Sequence, residues 1–133
     1  MGYRSEVILA VGPEVMPQFM VTMAKSPEAR AMCFAEHDDM VKDYDGTKGA
    51  LLFRWEHIKW YESYEGVSAI QDFLEWCEGG AQIPTGEKNE DGTKKMCDAG
   101  DFYRFVRIGE EMDDNEVQGW GFGGIQIQRS ASY

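Results

Sequence analysis

The sequence predicts a single α+β domain over residues 1–133, built from a four-stranded, largely antiparallel sheet with two helices packed on one face. Three observations lead to this fold class. Two segments have helical periodicity, four segments are strand-like, and their order is β-α-β-α-β-β. A chain of 133 residues with 43% apolar residues is also long enough to bury the core of one domain.

The first strand is predicted over residues 3–11, a short apolar run that is stopped by a Gly-Pro pair. The first helical region follows over residues 13–36, where apolar residues recur at every fourth position: Val15, Phe19 and Met23. Within it, Ser26 and Pro27 have the character of an N-cap and a first helical residue. The region is therefore either two short helices or one kinked helix.

The second strand is predicted over residues 50–61, after a polar connection at 37–49 that ends in a turn at Asp45-Gly46. Its alternation changes phase along the run, with one parity shared by Leu51, Phe53 and Trp55 and the other by Ile58 and Trp60. Such a change predicts a β-bulge near Glu56-His57, because one extra residue reverses the alternation.

The second helix has the clearest periodicity in the chain. Its apolar face consists of Val67, Ile70, Leu74 and Cys77, and a Gly-Gly pair at residues 79 and 80 ends it. Residues 79–100 combine Gly, Pro, Asn and charged residues with little periodicity, which predicts a long loop. A loop of this length is often mobile or functional.

The last two strands are predicted over residues 101–108 and 117–129, joined by an acidic tip. The second of them also changes phase, and Gly123-Gly124 lies where it does so. We therefore expect a second bulge there.

The net charge is −11, from 24 acidic and 13 basic residues, and the acids are concentrated in residues 36–45, 62–78 and 110–116. Such a field disfavours DNA and anionic membranes as partners and favours a protein partner that is basic. The three cysteines and the lack of a recognisable export signal predict the cytoplasm. Homo-oligomerisation remains open.

The sequence predicts neither a metal site nor a cofactor. Cys77 and Cys97 with His37 and His57 lack the short spacings of zinc ligands, and the Glu87–Asp98 segment departs from an EF-hand loop at several positions. Motifs for phosphate or dinucleotide binding are likewise not found in the sequence.

The acidic tip is the leading candidate for a binding surface. It comprises five acids that follow one base, so the predicted protein-binding residues are Arg107, Glu110, Glu111, Asp113, Asp114 and Glu116. The alternative is an ordinary solvated hairpin connection, whose charges discourage pairing of sheet edges.

Two further hypotheses concern catalysis and RNA. A small hydrolase or transferase requires its acid–base groups to meet around one pocket near the end of the sheet; the candidates are His57, Glu110, Glu111 and Arg107. The segment at residues 118–127, QGWGFGGIQI, resembles a strand of an RNA-recognition motif, and Tyr103 and Phe105 nearby suggest a stacking surface. The net charge and the position of this strand after the second helix disfavour RNA.

Three short segments carry a resemblance to a known group of proteins. Gly2–Val7, Ile58–Tyr61 and Arg107–Glu110 resemble the corresponding stretches of small uncharacterised proteins of tailed bacteriophages, and the similarity spans residues 2–78 and 101–117. The resemblance implies a phage accessory protein in the cytoplasm of the infected host. It assigns no catalytic residue, so the leading hypothesis is a non-enzymatic, acidic protein-binding module.

Overall fold

The computed structural model of the chain describes residues 3–111 and 113–125. Within these ranges the main elements are β1 (Ser5–Val11), α1 (Met16–Lys25), α2 (Pro27–Phe34), β2 (Asp39–Lys42), β3 (Leu51–Ile58), α3 (Glu65–Glu78), β4 (Gln82–Lys88), β5 (Lys94–Asp98), β6 (Tyr103–Ile108) and β7 (Asn115–Gln118). Single 3₁₀ turns lie at Tyr44–Gly46 and Ala99–Phe102.

Five strands form one sheet in the order β2-β3-β1-β6-β7, and each neighbouring pair is antiparallel. The strands β4 and β5 form a separate two-stranded hairpin. The predicted α+β class and antiparallel sheet are therefore confirmed. The predicted counts were wrong, since the described residues contain a five-stranded sheet and three helices rather than four strands and two helices.

The central strand β1 sets the two faces of the sheet. Its Leu9 lies between Phe53 of β3 and Phe105 of β6, and all three are completely buried against the helices. Ser5 pairs with Ile58 and Val7 pairs with Trp55, so a step of two residues in β1 corresponds to a step of three residues in β3. The extra residue confirms the bulge predicted near Glu56-His57.

Ser26 divides the first helical region into two helices. Its hydroxyl accepts a hydrogen bond from the backbone N–H of Ala29 (3.1 Å) and donates one to the carboxylate of Glu65 on α3 (2.8 Å). The side chain is thus both the N-cap of α2 and a link between two helices. Of the two alternatives, the two-helix arrangement is the one observed.

The predicted apolar face of the second long helix is confirmed in α3. Its Val67, Ile70, Leu74 and Cys77 are buried, together with Phe73. Phe73 contacts Phe19 of α1 with ring centroids 5.3 Å apart, and Phe19 also contacts Phe53 of the sheet at 5.7 Å. Aromatic packing therefore joins α1, α3 and the sheet in one core.

Two predicted connections were wrong because they contain strands. The segment 37–49 includes β2, which pairs with the edge of β3 from Asp39 to Lys42. The segment 79–100 includes the hairpin β4–β5, closed by a turn in which Asn89 N–H donates to the carbonyl of Thr93 (2.8 Å). Both segments are mostly exposed, so their sequences carry too little apolar alternation to indicate strands.

The last predicted strand was too long. β7 ends at Gln118, because Gly119 has φ +91° and lies so close to the carbonyl of Tyr103 that a side chain there would collide with it. Gly123 and Gly124 lie in a turn rather than at a bulge inside a strand. The remainder of the prediction, residues 126–129, lies outside the described residues.

Replacing Phe19 by alanine tests the core. We expect the substitution to lower the free energy of unfolding by about 3–5 kcal/mol, because it leaves a cavity among three other rings. Urea unfolding followed by tryptophan fluorescence measures the change. The matched control is Met20→Ala on the same helix, where the side chain is 42% exposed and the change should stay below about 1 kcal/mol. Equal losses in both variants would contradict the packing described.

Candidate functional site

The acidic tip is held to the sheet by Arg107, whose side chain is only 13% exposed. The guanidinium Nη2 lies 2.7 Å from Oδ1 of Asp114 and 2.9 Å from Oε1 of Glu116. A hydrogen bond to Asp114 is the main reason that the pKa of Arg107 is raised. The two carboxylates thus neutralise a cation that the fold has largely removed from water.

Residues from the start of the chain complete this cluster. The hydroxyl of Tyr3 donates to Oδ2 of Asp114 (2.6 Å) and accepts the backbone N–H of Glu111 (3.0 Å). The backbone N–H of Arg4 donates to Oε1 of Glu110 (3.0 Å). The bond to Asp114 raises the pKa of Tyr3, since it favours the protonated phenol.

Most of the acids predicted as a binding surface therefore have intramolecular roles. Glu110, Asp114 and Glu116 bind the start of β1 or Arg107, and the backbone N–H of Glu111 donates to the hydroxyl of Tyr3. The segment is a hairpin connection between β6 and β7, as one of the sequence alternatives proposed. Its charge is partly neutralised by the residues that hold it in place.

His57 lies on a different feature, a cavity of about 460 Å³ at the end of the sheet where β1 begins and β3 ends. The other three catalytic candidates, Arg107, Glu110 and Glu111, do not line this cavity. Arg4 connects the two regions, because its side chain donates to the backbone carbonyl of His57 (3.2 Å). The structure therefore does not gather the predicted catalytic set around one pocket.

The cysteines belong mainly to the core. Cys33 and Cys77 are buried, and burial raises the pKa of each thiol to about 12, with the charge of Glu78 contributing at Cys77. Cys97 is half-buried, and its pKa is also raised, mainly by desolvation. Among the described residues, no group of three or more His, Cys, Asp or Glu side chains is arranged to hold a metal ion.

The most exposed large apolar side chain of the described residues is Trp120, with 80% of its surface accessible. Its backbone N–H donates to the carbonyl of Gly100 (2.9 Å), and a shallow cavity of about 140 Å³ beside it is lined by Glu78, Asp98 and Asp101. We call Trp120 and these three acids the Trp120 surface.

Sequence analysis missed the Trp120 surface because it placed Trp120 inside a strand. The signal available in the sequence was the pair of glycines on either side of this residue. Glycines at both positions allow the close approach to Tyr103 that ends β7 and turns the indole outward. Glu78, Asp98 and Asp101 come from separate elements, so only the fold brings them together.

The aromatic surface required by the RNA hypothesis is not formed by Tyr103 and Phe105. Both side chains are completely buried in the core beneath the helices. The hydroxyl of Tyr103 instead donates to the carboxylate of Glu78. These two rings are therefore unable to stack on bases without unfolding the domain.

Comparisons with known proteins give no relative. No family model, no curated protein and no solved structure matches the chain. Among the helices that the structure describes, none has the length and apolar character needed to cross a membrane.

Removal of the Arg107 cation tests the structural role of the tip. Arg107→Met should lower the free energy of unfolding by about 1–3 kcal/mol, because Asp114 and Glu116 lose their shared cation in a half-buried site. Urea unfolding measures this, with Arg30→Met on an exposed position of α2 as the control. The double variant that combines Arg107→Met with Asp114→Asn should recover part of the loss, and no recovery would contradict the pairing.

High pH should destabilise the fold. Cys33 and Cys77 ionise near pH 12 in the folded protein but near 9 when unfolded, so the unfolded state binds fewer protons above pH 9. The free energy of unfolding should be flat below pH 9 and fall as the pH rises toward 12. Tyr103, whose pKa burial also raises, adds to the slope above pH 10. Urea midpoints measured at about pH 7, 9 and 10.5 test this.

The matched control for the alkaline effect is the double variant Cys33→Ala with Cys77→Ala. Its stability should decline less steeply above pH 9, because two of the groups responsible are gone. An identical slope in both proteins would remove the thiols from the explanation.

Proposed function

We propose that the protein is a non-enzymatic, acidic protein-binding module that holds a basic partner at the Trp120 surface. The observation that carries this proposal is the 80% exposure of Trp120, about twice the 41% of Tyr64, the next most exposed aromatic residue among those described. The segments that resemble proteins of tailed phages support a role as an accessory protein that binds a host factor in the bacterial cytoplasm.

An exposed tryptophan is costly in water and valuable in an interface. Tryptophan is enriched among the residues that dominate binding free energy, because its large rigid surface loses little conformational freedom when it is covered. Here the backbone is fixed on both sides of the ring, by the Trp120–Gly100 bond and by Gly121 N–H donating to the carbonyl of Tyr103 (3.1 Å). The indole is therefore presented from a structured position.

The charges around Trp120 support a basic partner. Glu78 is held in position by two donors, the hydroxyl of Tyr103 and the backbone N–H of Gly119 (3.1 Å), and Asp98 accepts a bond from Gln82. With Asp101 these form an acidic border beside an aromatic face, an arrangement that suits a lysine or arginine side chain. The overall charge of −11 would increase the rate of encounter with such a partner.

Capture from bacterial lysate tests the proposal, with Trp120→Ala compared with the wild-type chain. Binding of a retained protein, once identified and purified, should weaken by about 30-fold or more in the variant, which corresponds to the roughly 2 kcal/mol typical of a central interface residue. The matched control is Val41→Ala, which removes a 42% exposed apolar side chain from the opposite edge strand and should leave the affinity unchanged.

A variant with reversed charges in the acidic tip distinguishes the tip from the Trp120 surface as the binding site. The double variant Glu111→Lys, Asp113→Lys keeps both the Arg107 ion pairs and the hydrogen bond from the Arg4 N–H to Glu110, so it changes the charge of the tip without removing these contacts. We expect slower association but a dissociation rate close to that of the wild type. Loss of capture with this variant, together with full capture by Trp120→Ala, would contradict the proposed site. The acidic tip would then be the better candidate for the binding surface.

A further inference from the structure

The cavity beside His57 has the composition of a small-molecule site. Its volume of about 460 Å³ falls within the range of ligand pockets, roughly 300–1,000 Å³. It lies between the end of the sheet, α2 and the start of α3, and apolar side chains line it from all three: Met32, Trp55, Ile58 and Val67. We call it the His57 cavity.

Six charged or titratable side chains also line the His57 cavity, and they come from different parts of the fold. The bases Arg4, His57 and Lys59 lie at the ends of β1 and β3, whereas the acids Glu28, Glu36 and Asp38 come from α2 and the segment after it. All six lie in the described part of the chain, and no ion pair within 4.0 Å joins any of these bases to any of these acids. Opposite charges are thus kept apart around one cavity.

Several of these groups are fixed by bonds to the backbone. Asp38 accepts the N–H of Glu56 (2.6 Å), Glu28 accepts the N–H of Gly66, and Arg4 donates to the carbonyl of His57 (3.2 Å). These bonds hold the groups at the cavity without cancelling their charges. The separation of charge is therefore built into the fold and does not depend on flexible surface side chains alone.

The cavity wall is equally well fixed. The indole N–H of Trp55 donates to the carbonyl of Met32 (2.9 Å), and the ring is 2% exposed. Gly66 allows α2 and α3 to approach here, since a side chain at this position would lie 2.6 Å from the sulfur of Met32. The apolar wall therefore exists before any ligand arrives, which lowers the cost of binding.

We propose that the His57 cavity binds a small apolar zwitterion, either a free amino acid with an aliphatic side chain or a short peptide with free termini. The ligand carboxylate would face Arg4, His57 and Lys59, its ammonium would face Glu36 and Asp38, and its side chain would lie on Met32, Trp55 and Val67. A ligand with both charges satisfies both sets of groups. A phosphate compound without a cationic group would satisfy the bases but leave Glu36 and Asp38 without a cationic partner, so the charges favour a zwitterion over a nucleotide. This site is separate from the Trp120 surface and does not depend on the proposed function.

Titration with four leucine compounds tests the charges, using the full chain and NMR spectra of its tryptophan indole N–H groups. The compounds are leucine, leucine amide, N-acetylleucine and the dipeptide Leu-Leu. The Trp55 signal should shift with leucine or with the dipeptide, and whichever binds tighter identifies the source. The amide, which lacks the carboxylate, and the acetylated compound, which lacks the ammonium, should each bind about tenfold or more weakly.

Two variants test the residues, each with a control of the same type. Lys59→Met and Glu36→Gln should weaken binding by about tenfold, whereas Lys48→Met and Glu75→Gln, at exposed positions outside the cavity, should not. The variant Trp120→Ala should bind the zwitterion normally, which separates this result from the protein-binding test. The proposal is overturned if neither zwitterion shifts the Trp55 signal at about 10 mM, or if the blocked compounds bind as well as leucine.

Discussion

The register of β1 against both of its neighbours is the constraint on which the rest of the structure depends. It places Leu9 between Phe53 and Phe105 in the core, and Ala10 between Leu52 and Arg104 on the opposite face. A shift by one residue would exchange the two faces along the whole strand, exposing the apolar set that the helices cover. The bulge at Glu56-His57 interrupts this register at the point where β3 reaches the His57 cavity.

The same register explains why the tip is acidic. Arg107 pairs with Val7, and Val7 pairs with Trp55, so the side chain of Arg107 lies on the helix-covered face near the end of the sheet. A cation with little access to water needs carboxylates nearby, because the penalty for leaving it unpaired exceeds the cost of ordering its partners. Asp114 and Glu116 supply them. Much of the charge that suggested a binding surface therefore has a structural cause.

Local signals explain which elements the sequence could predict. Ser26-Pro27 and the apolar face of α3 act within a few residues, and the phase change at Glu56-His57 is visible in one strand, so each could be assigned before the structure. The strands β2, β4 and β5 have few buried side chains, and their pairing is fixed by backbone bonds that every residue type except proline offers in full. The sequences of these three strands therefore have the composition of loops.

The candidate sites were harder to predict because their residues meet only after folding. The Trp120 surface takes Glu78 from the end of α3, Asp98 from β5 and Asp101 from the turn that follows. The His57 cavity likewise joins Arg4 near the start of the chain to Glu28, Glu36 and Lys59. Sequence analysis selected His57 but assigned it the wrong neighbours among Glu110, Glu111 and Arg107, which do not line its cavity. Sequence analysis favoured acids that are close together in the chain, whereas the fold brings together charged residues that are far apart in the chain.

The charge distribution also bears on the partner proposed for the Trp120 surface. A symmetric pair of chains joined through the Trp120 surface would bring Glu78, Asp98 and Asp101 of one copy against the same three acids of the other. Each copy also carries a net charge of −11, so the long-range repulsion adds to the local one. Apolar contact between two indoles would have to overcome the local and the long-range repulsion. It would also have to offset the cost of desolvating the carboxylates of both copies. A basic partner would reverse the sign of both electrostatic terms and keep the apolar contact, and this supports the proposed basic partner over a second copy of the chain.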